Sequence, residues 1–272
     1  MEYIIERQHK FSLGLKELIR YRELFYFFAW RDIKVKYKQA ALGFMWAILQ
    51  PLAMMMIFTL IFSKGLKVSS EGIPYPIFAL SGLIIWNIFS NGLLNSANSM
   101  VANANIIKKI YFPRLIIPMS SILTALFDFC FSLLIYIAVL IFYNHDTDWL
   151  RVLYCLPVSI TLTIMTTFGL GTFLSALNVK YRDFQYVIPF MIQFLLFVNP
   201  VLYSSKIFEN GWLAWIMKLN PIANAINLSR SAFTGNAIDW VSVGLGFLVA
   251  SGLLLTGVYT FRKTEAYFAD LA

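Results

Sequence analysis

Long apolar segments, separated by short polar ones, occupy most of this 272-residue chain. Six of them reach about 20 residues, the length of helix that crosses a bilayer core roughly 30 Å thick. They cover residues 42–62, 77–98, 115–143, 151–177, 185–204 and 241–261. We expect the third and fourth to tilt or to extend beyond the bilayer, because they exceed the required length. The pattern predicts an all-α integral membrane protein with six transmembrane helices.

The composition agrees with a membrane protein. Hydrophobic residues make up 59% of the chain and charged residues 13%, whereas a soluble domain has about 25% charged residues. The net charge of +8 suggests nucleic-acid binding in a soluble protein, but in a membrane protein it more often reflects topology. Most of the 22 Lys and Arg residues precede the first span, follow the second or fourth, or lie in the tail, residues 262–272. Both termini are therefore predicted to be cytoplasmic, and no nucleic-acid partner is expected.

Residues 1–41 are predicted to lie on the membrane surface rather than to cross it. The stretch LFYFFAW (24–30) is apolar and bulky, and the basic residues Arg20, Arg22 and Arg31 flank it. A mixture of aromatic and cationic side chains suits an amphipathic helix in the plane of the lipid headgroups. The alternative is a soluble N-terminal helix that packs on another subunit.

Two short apolar segments precede the last span. WLAWIMKL (212–219) and PIANAINLSRSAF (221–233) are each too short to cross a bilayer as a helix. Between them, Asn220 is a good helix N-cap and Pro221 suits the first helical position. We expect two re-entrant half-helices over 212–233, with two surface helices as the alternative. Non-spanning backbone at that depth must pack on protein or line a water-filled cavity.

The sequence lacks the motifs of a catalytic or ATP-binding chain. No G-x-x-x-x-G-K-[ST] phosphate loop and no G-x-S-x-G nucleophile elbow occur in it. The histidines, His9 and His145, are too few for a His-based metal cluster. The chain is therefore predicted not to be an enzyme and to bind no metal or cofactor itself.

Asp128 is the acidic residue deep within a predicted span. An intramembrane carboxylate suggests function, such as a proton relay in an ion-coupled carrier. The predicted spans hold no second acid and no central Lys or Arg, so we favour a protonated or hydrogen-bonded Asp128 that packs against nearby Ser or Thr. Cys130 and Cys155 lie in apolar runs and are interpreted as buried thiols, while Gly169 and Gly171 allow close helix packing.

Five segments together resemble the membrane subunits of type-2 ABC exporters, in the branch that exports lipid-linked polysaccharide. They are RDIKVKYKQAALGFMWAILQP (31–51), NANIIKKIYFPRLIIP (103–118), ALNVKYRDF (176–184), LFVNPVLY (196–203) and LNPIANAINLSRSAF (219–233). They follow the family's order over nearly the whole chain, which makes them more specific together than singly.

The resemblance implies a permease subunit that works with a separate ABC ATPase. Two copies of this chain and two copies of the ATPase would form the exporter, with ATP and Mg bound by the ATPase. The substrate would be a lipid-linked glycan, O-antigen in preference to teichoic acid or capsule. The expected location is the bacterial inner (cytoplasmic) membrane, with membrane lipids as further partners.

The same resemblance assigns two cytoplasmic loops to contact with the ATPase. Pro113 and Pro118 break or kink the helix where the first loop returns to the bilayer. The coupling residues are Asn103, Asn105, Lys108, Lys109, Tyr111, Phe112, Pro113, Arg114, Tyr181, Arg182 and Asp183. Binding of lipid headgroups is the alternative for the two lysines.

Candidate substrate contacts lie elsewhere in the chain. The predicted substrate entrance comprises Arg20, Arg22, Trp30 and Arg31, because a basic rim attracts the carrier's phosphates. The channel-lining candidates are Phe44, Trp46, Phe190, Phe194 and Phe197. The last three share one helix face, although helix packing is the alternative for each. In the re-entrant region we single out Asn220, Pro221 and Arg230.

Three other functions stay open from the sequence. One is a type-2 ABC exporter of drugs or small lipids. Another is an ion-coupled carrier that uses Asp128. A third, a membrane-bound glycan-modifying enzyme, lacks a clustered acid–base pair.

Overall fold

The computed structural model of the protein describes residues 20–38, 43, 45–110, 112–208 and 211–265. Its regular elements over these residues are all helical, as predicted. In chain order they are α1 (Arg22–Lys38), α2 (Met45–Phe58, continued by a π-helical segment Thr59–Gly65), α3 (Tyr75–Ala102), α4 (Ala104–Ile107), α5 (Ile116–Phe142), α6 (Trp149–Lys180), α7 (Phe184–Val198), a 3₁₀ turn (Ser205–Phe208), α8 (Trp212–Leu219), α9 (Pro221–Thr234) and α10 (Trp240–Glu265). Phe44 and Tyr111 lie outside the described residues.

Within the described residues, five helices are long and apolar enough to cross a membrane. They are α2 with its π-helical extension, α3, α5, α6 and α10, and they coincide with five of the six predicted spans. The remaining candidate, α7, has 15 residues and is about 22 Å long, shorter than a bilayer core. We predicted that it would continue to residue 204. It ends before Asn199-Pro200 because a residue that precedes proline is disfavoured in the helical conformation.

The helix α3 is the centre of the molecule. It packs against α5, α6 and α9, and 78% of its most apolar 18-residue stretch is buried. In the corresponding stretch of α2 only 6% is buried, so α2 presents most of its apolar surface outwards. The described chain therefore has a well-packed core around α3, with the apolar helix α2 at its edge.

The N-terminal helix α1 packs along α5. Near its beginning, Phe28 contacts Phe112, just before α5, with 5.6 Å between ring centroids. Near its end, Tyr37 contacts Phe127, in the middle of α5, at 5.8 Å. The helix thus follows the first half of α5 for roughly 13 Å at 1.5 Å per residue.

The helices α8 and α9 form a hairpin beside α6. The hydroxyl of Ser159 donates to the carbonyl of Ala225, and Arg151 donates to the carbonyls of Gly235 and Asn236. These contacts place α9 along the first half of α6. We call this part of the molecule the hairpin end.

Candidate coupling surface and polar cavity

The two predicted coupling loops lie at one end of the molecule, which we call the loop end. Side chains from α1, the end of α3, the beginning of α5, the end of α6 and the end of α10 form one buried cluster there. Its members include Phe28, Met100, Ile107, Phe112, Val179 and Phe261. The cluster holds Ile107 and Phe112 of the first loop beside Val179, which lies just before residues 181–183, although the two loops are far apart in the sequence.

The predicted coupling residues divide into exposed and buried groups. Asn105, Lys108, Lys109, Tyr181, Arg182 and Asp183 are exposed, while Asn103 and Phe112 are buried and Pro113 and Arg114 are half-buried. The amide of Asn103 donates to the carbonyl of Ser99 and caps the end of α3. Arg114 donates to the main-chain carbonyl of Glu265 at the end of α10. The exposed group is available to a partner, and the buried group fixes the loop to the helices.

The predicted entrance residues lie in α1 or, for Arg20, two positions before it. Arg20, Arg22 and Trp30 are exposed, and the ring of Trp30 stacks on that of Tyr26 at 6.4 Å. Arg31 differs from them, because its guanidinium binds Asp32 and lies 4.8 Å from the ring centre of Phe28. Its charge is therefore largely compensated within α1.

Asp128 binds two residues of α1. Its carboxylate accepts hydrogen bonds from the ammonium of Lys36 and the hydroxyl of Tyr37. Burial, and then the bond to Asp128, raise the pKa of Tyr37, so Tyr37 stays a neutral donor. Our expectation of a hydrogen-bonded Asp128 is correct, but the predicted partners are wrong. Ser132 donates to the main-chain carbonyl of Asp128 and leaves the carboxylate to α1.

A polar cavity of about 220 Å³ lies next to this ion pair. The helices α1, α2, α3 and α5 form its walls. The lining includes Trp46, a predicted channel residue, and the amides of Gln50, Asn87 and Asn91, which sequence reasoning missed. A polar residue within a span is the signal that would have found the two asparagines.

The predicted channel residues of α7 are on the surface of the described chain. Phe190, Phe194 and Phe197 are 71%, 61% and 65% exposed and share one face. Helix packing within the chain therefore does not explain them. Trp46 on α2 is also exposed, so these aromatic side chains are free to contact a second subunit or a substrate.

The hairpin end contains a buried guanidinium. The Arg230 side chain donates to the carbonyls of Pro200 and Val201 at 3.0 and 3.1 Å, and it lies 3.7 Å from the ring centre of Phe78. The nearby carboxylate of Glu71, which we did not predict, accepts from Ser204 and Asn236. These contacts join the hairpin to the beginning of α3 and the end of α7.

The predicted N-cap of α9 is confirmed. The Asn220 side chain accepts from the amides of Ile222 and Ala223, and Pro221 is the first residue of the helix. Asn220 also donates to the side chain of Asn199, after α7. Hydrogen bonds from Ser242 hold the pKa of Asp239 below its usual range at the beginning of α10.

One of the two cysteine interpretations is wrong. Cys155 is buried, as expected, but Cys130 is exposed on α5. An apolar run in a membrane protein does not reveal which face of the helix meets lipid, so burial cannot be inferred from the run alone. Both cysteines are free thiols.

Comparison with known proteins identifies the chain's family. Residues 23–234 match the family model described as ABC-2 type transporter. The chain belongs to this family. The family assignment agrees with the resemblance stated from the sequence, and the matched region contains both coupling loops, the polar cavity and the hairpin.

Several curated proteins are similar to this chain over most of its length. An O-antigen export system permease protein RfbA of Klebsiella pneumoniae is 30% identical, over 89% of this chain and 92% of the relative. The protein of the same name from Myxococcus xanthus is 29% identical, over 92% and 96%. The polysialic acid transport protein KpsM of Escherichia coli is 25% identical, over 86% and 91%.

As an ABC-2 family member with five long apolar helices in its described part, the chain is a multi-pass membrane protein and a transporter membrane subunit. The loop end therefore presents an exposed polar surface beside the membrane-embedded helices. The coupling residues that we assigned by resemblance remain predictions, as do the entrance and channel residues.

Proposed function

We propose that this chain is the channel-forming subunit of an ATP-driven exporter of lipid-linked polysaccharide, with O-antigen as the first candidate substrate. The near full-length similarity to permeases named for O-antigen and polysialic acid transport supports this proposal more than any other observation. A separate ABC ATPase supplies the energy and binds ATP and Mg. The complex lies in the bacterial inner membrane, with both termini and the loop end in the cytoplasm.

In the proposed topology α7 is the fifth of six spans, and α8 and α9 are re-entrant half-helices. The exposed loop-end residues, such as Lys108, Lys109 and Arg182, dock on the ATPase. ATP binding moves residues 103–112 and 178–184. The buried cluster transmits this movement, since it joins both segments to α1, α3, α6 and α10.

A homodimer accounts for the apolar surface that the single chain exposes. The most apolar stretch of α2 is almost entirely exposed, and the three phenylalanines of α7 point outwards. Packing a second copy against these helices buries apolar surface and encloses a path between the subunits. Aromatic rings along that path suit a glycan, because ring faces pack on sugars without demanding one sequence.

The decisive test is deletion of the gene, followed by localisation of lipid-linked glycan. We expect finished polymer to accumulate on the cytoplasmic face and to disappear from the cell surface. The wild-type gene should restore surface glycan in cells with an active ATPase partner and fail to restore it in cells whose ATPase partner is inactivated. This pair of results would establish ATP-driven export. Unchanged surface glycan with altered efflux of drugs or small lipids would overturn the proposed substrate.

A further inference from the structure

The cavity between α1, α2, α3 and α5 has groups that the structure leaves open to a ligand. Its volume of about 220 Å³ far exceeds the roughly 10–15 Å³ that a single water needs. The space is thus too large for one ordered water and suits a small polar group. It opens beside Trp46 and Gln50 on the helix α2, which the rest of the chain hardly covers.

Three amide side chains line the cavity with unused hydrogen-bonding capacity. Among the described residues, Gln50, Asn87 and Asn91 make no side-chain hydrogen bond to protein. Each amide has two donor hydrogens and one acceptor oxygen. Asn87 and Asn91 are half-buried, where such groups are costly unless water or a ligand binds them, whereas Gln50 is exposed.

Asp128 also retains acceptor capacity. Its two oxygens offer about four acceptor positions, of which Lys36 and Tyr37 occupy two. The ion pair makes this part of the cavity formally neutral, and the Asp128 carboxylate disfavours a phosphate. A ligand with several hydroxyl groups can donate to Asp128 and bind the amides in both directions.

Trp46 supplies an apolar surface next to these polar groups. Its side chain is 51% exposed and lines the same cavity. A flat aromatic ring beside amide and carboxylate groups matches a sugar ring, which has apolar faces and a polar edge. We propose that this cavity binds one sugar unit of the transported glycan, with its hydroxyls on Asn87, Asn91 and Asp128 and its face on Trp46.

This inference rests on the proposed function, and it adds a glycan contact apart from the aromatic face of α7. The test uses the whole transporter in cells, with its ATPase. Trp46, Phe194 and Leu153 are replaced one at a time by the photo-cross-linker p-benzoylphenylalanine. Leu153 is the control, because it is 73% exposed on a different helix. The probe is the cell's own glycan, detected on the purified subunit by carbohydrate staining.

We expect carbohydrate cross-linking at Trp46 and at Phe194, and none at Leu153. Cross-linking at Phe194 but not at Trp46 would overturn the cavity site and leave the proposed export function standing. If cross-linking is absent at every position and deletion leaves surface glycan unchanged, the proposed function fails, and the cavity site with it. Cross-linking of lipid alone at Trp46 would likewise overturn the site.

Substitution of the amides gives a second readout. Asn87→Ala and Asn91→Ala should each lower surface glycan about fivefold at equal membrane levels, since each removes one ligand hydrogen bond. Asn95→Ala is the matched control, because Asn95 lies one turn beyond Asn91 on α3 and does not line the cavity. Normal export by both cavity variants would contradict the proposal.

Discussion

Arg230 and Lys206 both line a second cavity, which lies near Glu71 at the hairpin end, but their surroundings differ. Arg230 is 3% exposed and combines its carbonyl hydrogen bonds with the ring of Phe78. Lys206 lies 3.5 Å from Glu71 with most of its side chain in the open. A buried charge that loses its partners is costly, whereas an exposed pair contributes about 0–1 kcal/mol. The two residues should therefore respond very differently to substitution.

We predict that Arg230→Lys lowers the free energy of unfolding by roughly 2–4 kcal/mol. A single ammonium cannot replace the planar guanidinium at the two carbonyls, at the hydroxyl of Ser81, which also accepts from Arg230, and at the ring. Lys206→Gln should lower the free energy of unfolding by less than about 1 kcal/mol. Denaturant unfolding of both purified variants in detergent measures the difference. Equal stability of Arg230→Lys and the wild type would contradict the structural role of the guanidinium.

A second residue-scale prediction concerns the Lys36–Asp128 pair. Asp128→Asn should destabilise the protein by roughly 1–3 kcal/mol, because it leaves Lys36 without its carboxylate in a partly buried place. Lys36→Met combined with Asp128→Asn should cost less than the sum of the single changes, by on the order of 1 kcal/mol. Thermal unfolding of the four proteins completes the cycle. Additive effects would mean that the two side chains do not interact.

At the scale of elements, glycines set the distance between α6 and α10. A Cβ added to Gly257 would lie 2.0 Å from the carbonyl oxygen of Gly169, so the two helices are in backbone contact there. Gly252, one and a half turns earlier on α10, has no such neighbour, and its added Cβ would meet nothing within 4 Å. Replacing each of these two glycines by alanine therefore distinguishes the effect of helix packing, at Gly257, from the effect of helix propensity, at Gly252.

We predict that Gly257→Ala separates α6 from α10 and costs about 1–3 kcal/mol of unfolding free energy, as overpacking of a close contact does. Gly252→Ala should stabilise the protein by up to about 1 kcal/mol, since alanine favours the helix over glycine. Thermal unfolding of the two variants, at matched detergent concentration, compares them directly. A stabilising Gly257→Ala would rule out the close contact.

The sequence predicted the local features of these elements well. Apolar length located the five long helices, Asn220-Pro221 located the beginning of α9, and Gly169 indicated close packing. The contacts between helices could not be predicted, because one sequence does not reveal which helices are neighbours. Lys36 and Asp128 are 92 positions apart, and the cavity amides acquire their meaning only when α1, α2 and α3 come together.

At the scale of the whole molecule, charged residues at the loop end remain exposed while their neighbours are buried. Lys108 and Lys109 follow the short helix α4, whose last residue, Ile107, belongs to the buried cluster. A partner that binds the two lysines is thus connected to the core by only one or two residues. This arrangement suits transmission of movement better than a loosely attached loop does.

We predict that Lys108→Glu combined with Lys109→Glu lowers export roughly tenfold, because reversal of interface charges weakens docking of the ATPase. The same double reversal at Lys64 and Lys67, which are exposed near the hairpin end, should leave export nearly unchanged. Surface glycan is compared at equal membrane levels, after protease accessibility has verified insertion of both variants. Normal export by the Lys108/Lys109 variant would remove these lysines from the mechanism.

The helix α1 contacts both regions to which we assign function. Phe28 near its beginning packs on Phe112 of the coupling loop, and Lys36 and Tyr37 near its end bind Asp128 at the polar cavity. If docking or nucleotide binding displaces the loop, the rod-like helix changes the shape of the cavity. Thermodynamic reciprocity then requires that a ligand in the cavity affects nucleotide binding by the same factor as the nucleotide affects binding of that ligand. A sugar that favours one nucleotide state by a given factor must raise the affinity for that nucleotide by the same factor, so a loaded transporter would signal its own occupancy to the motor.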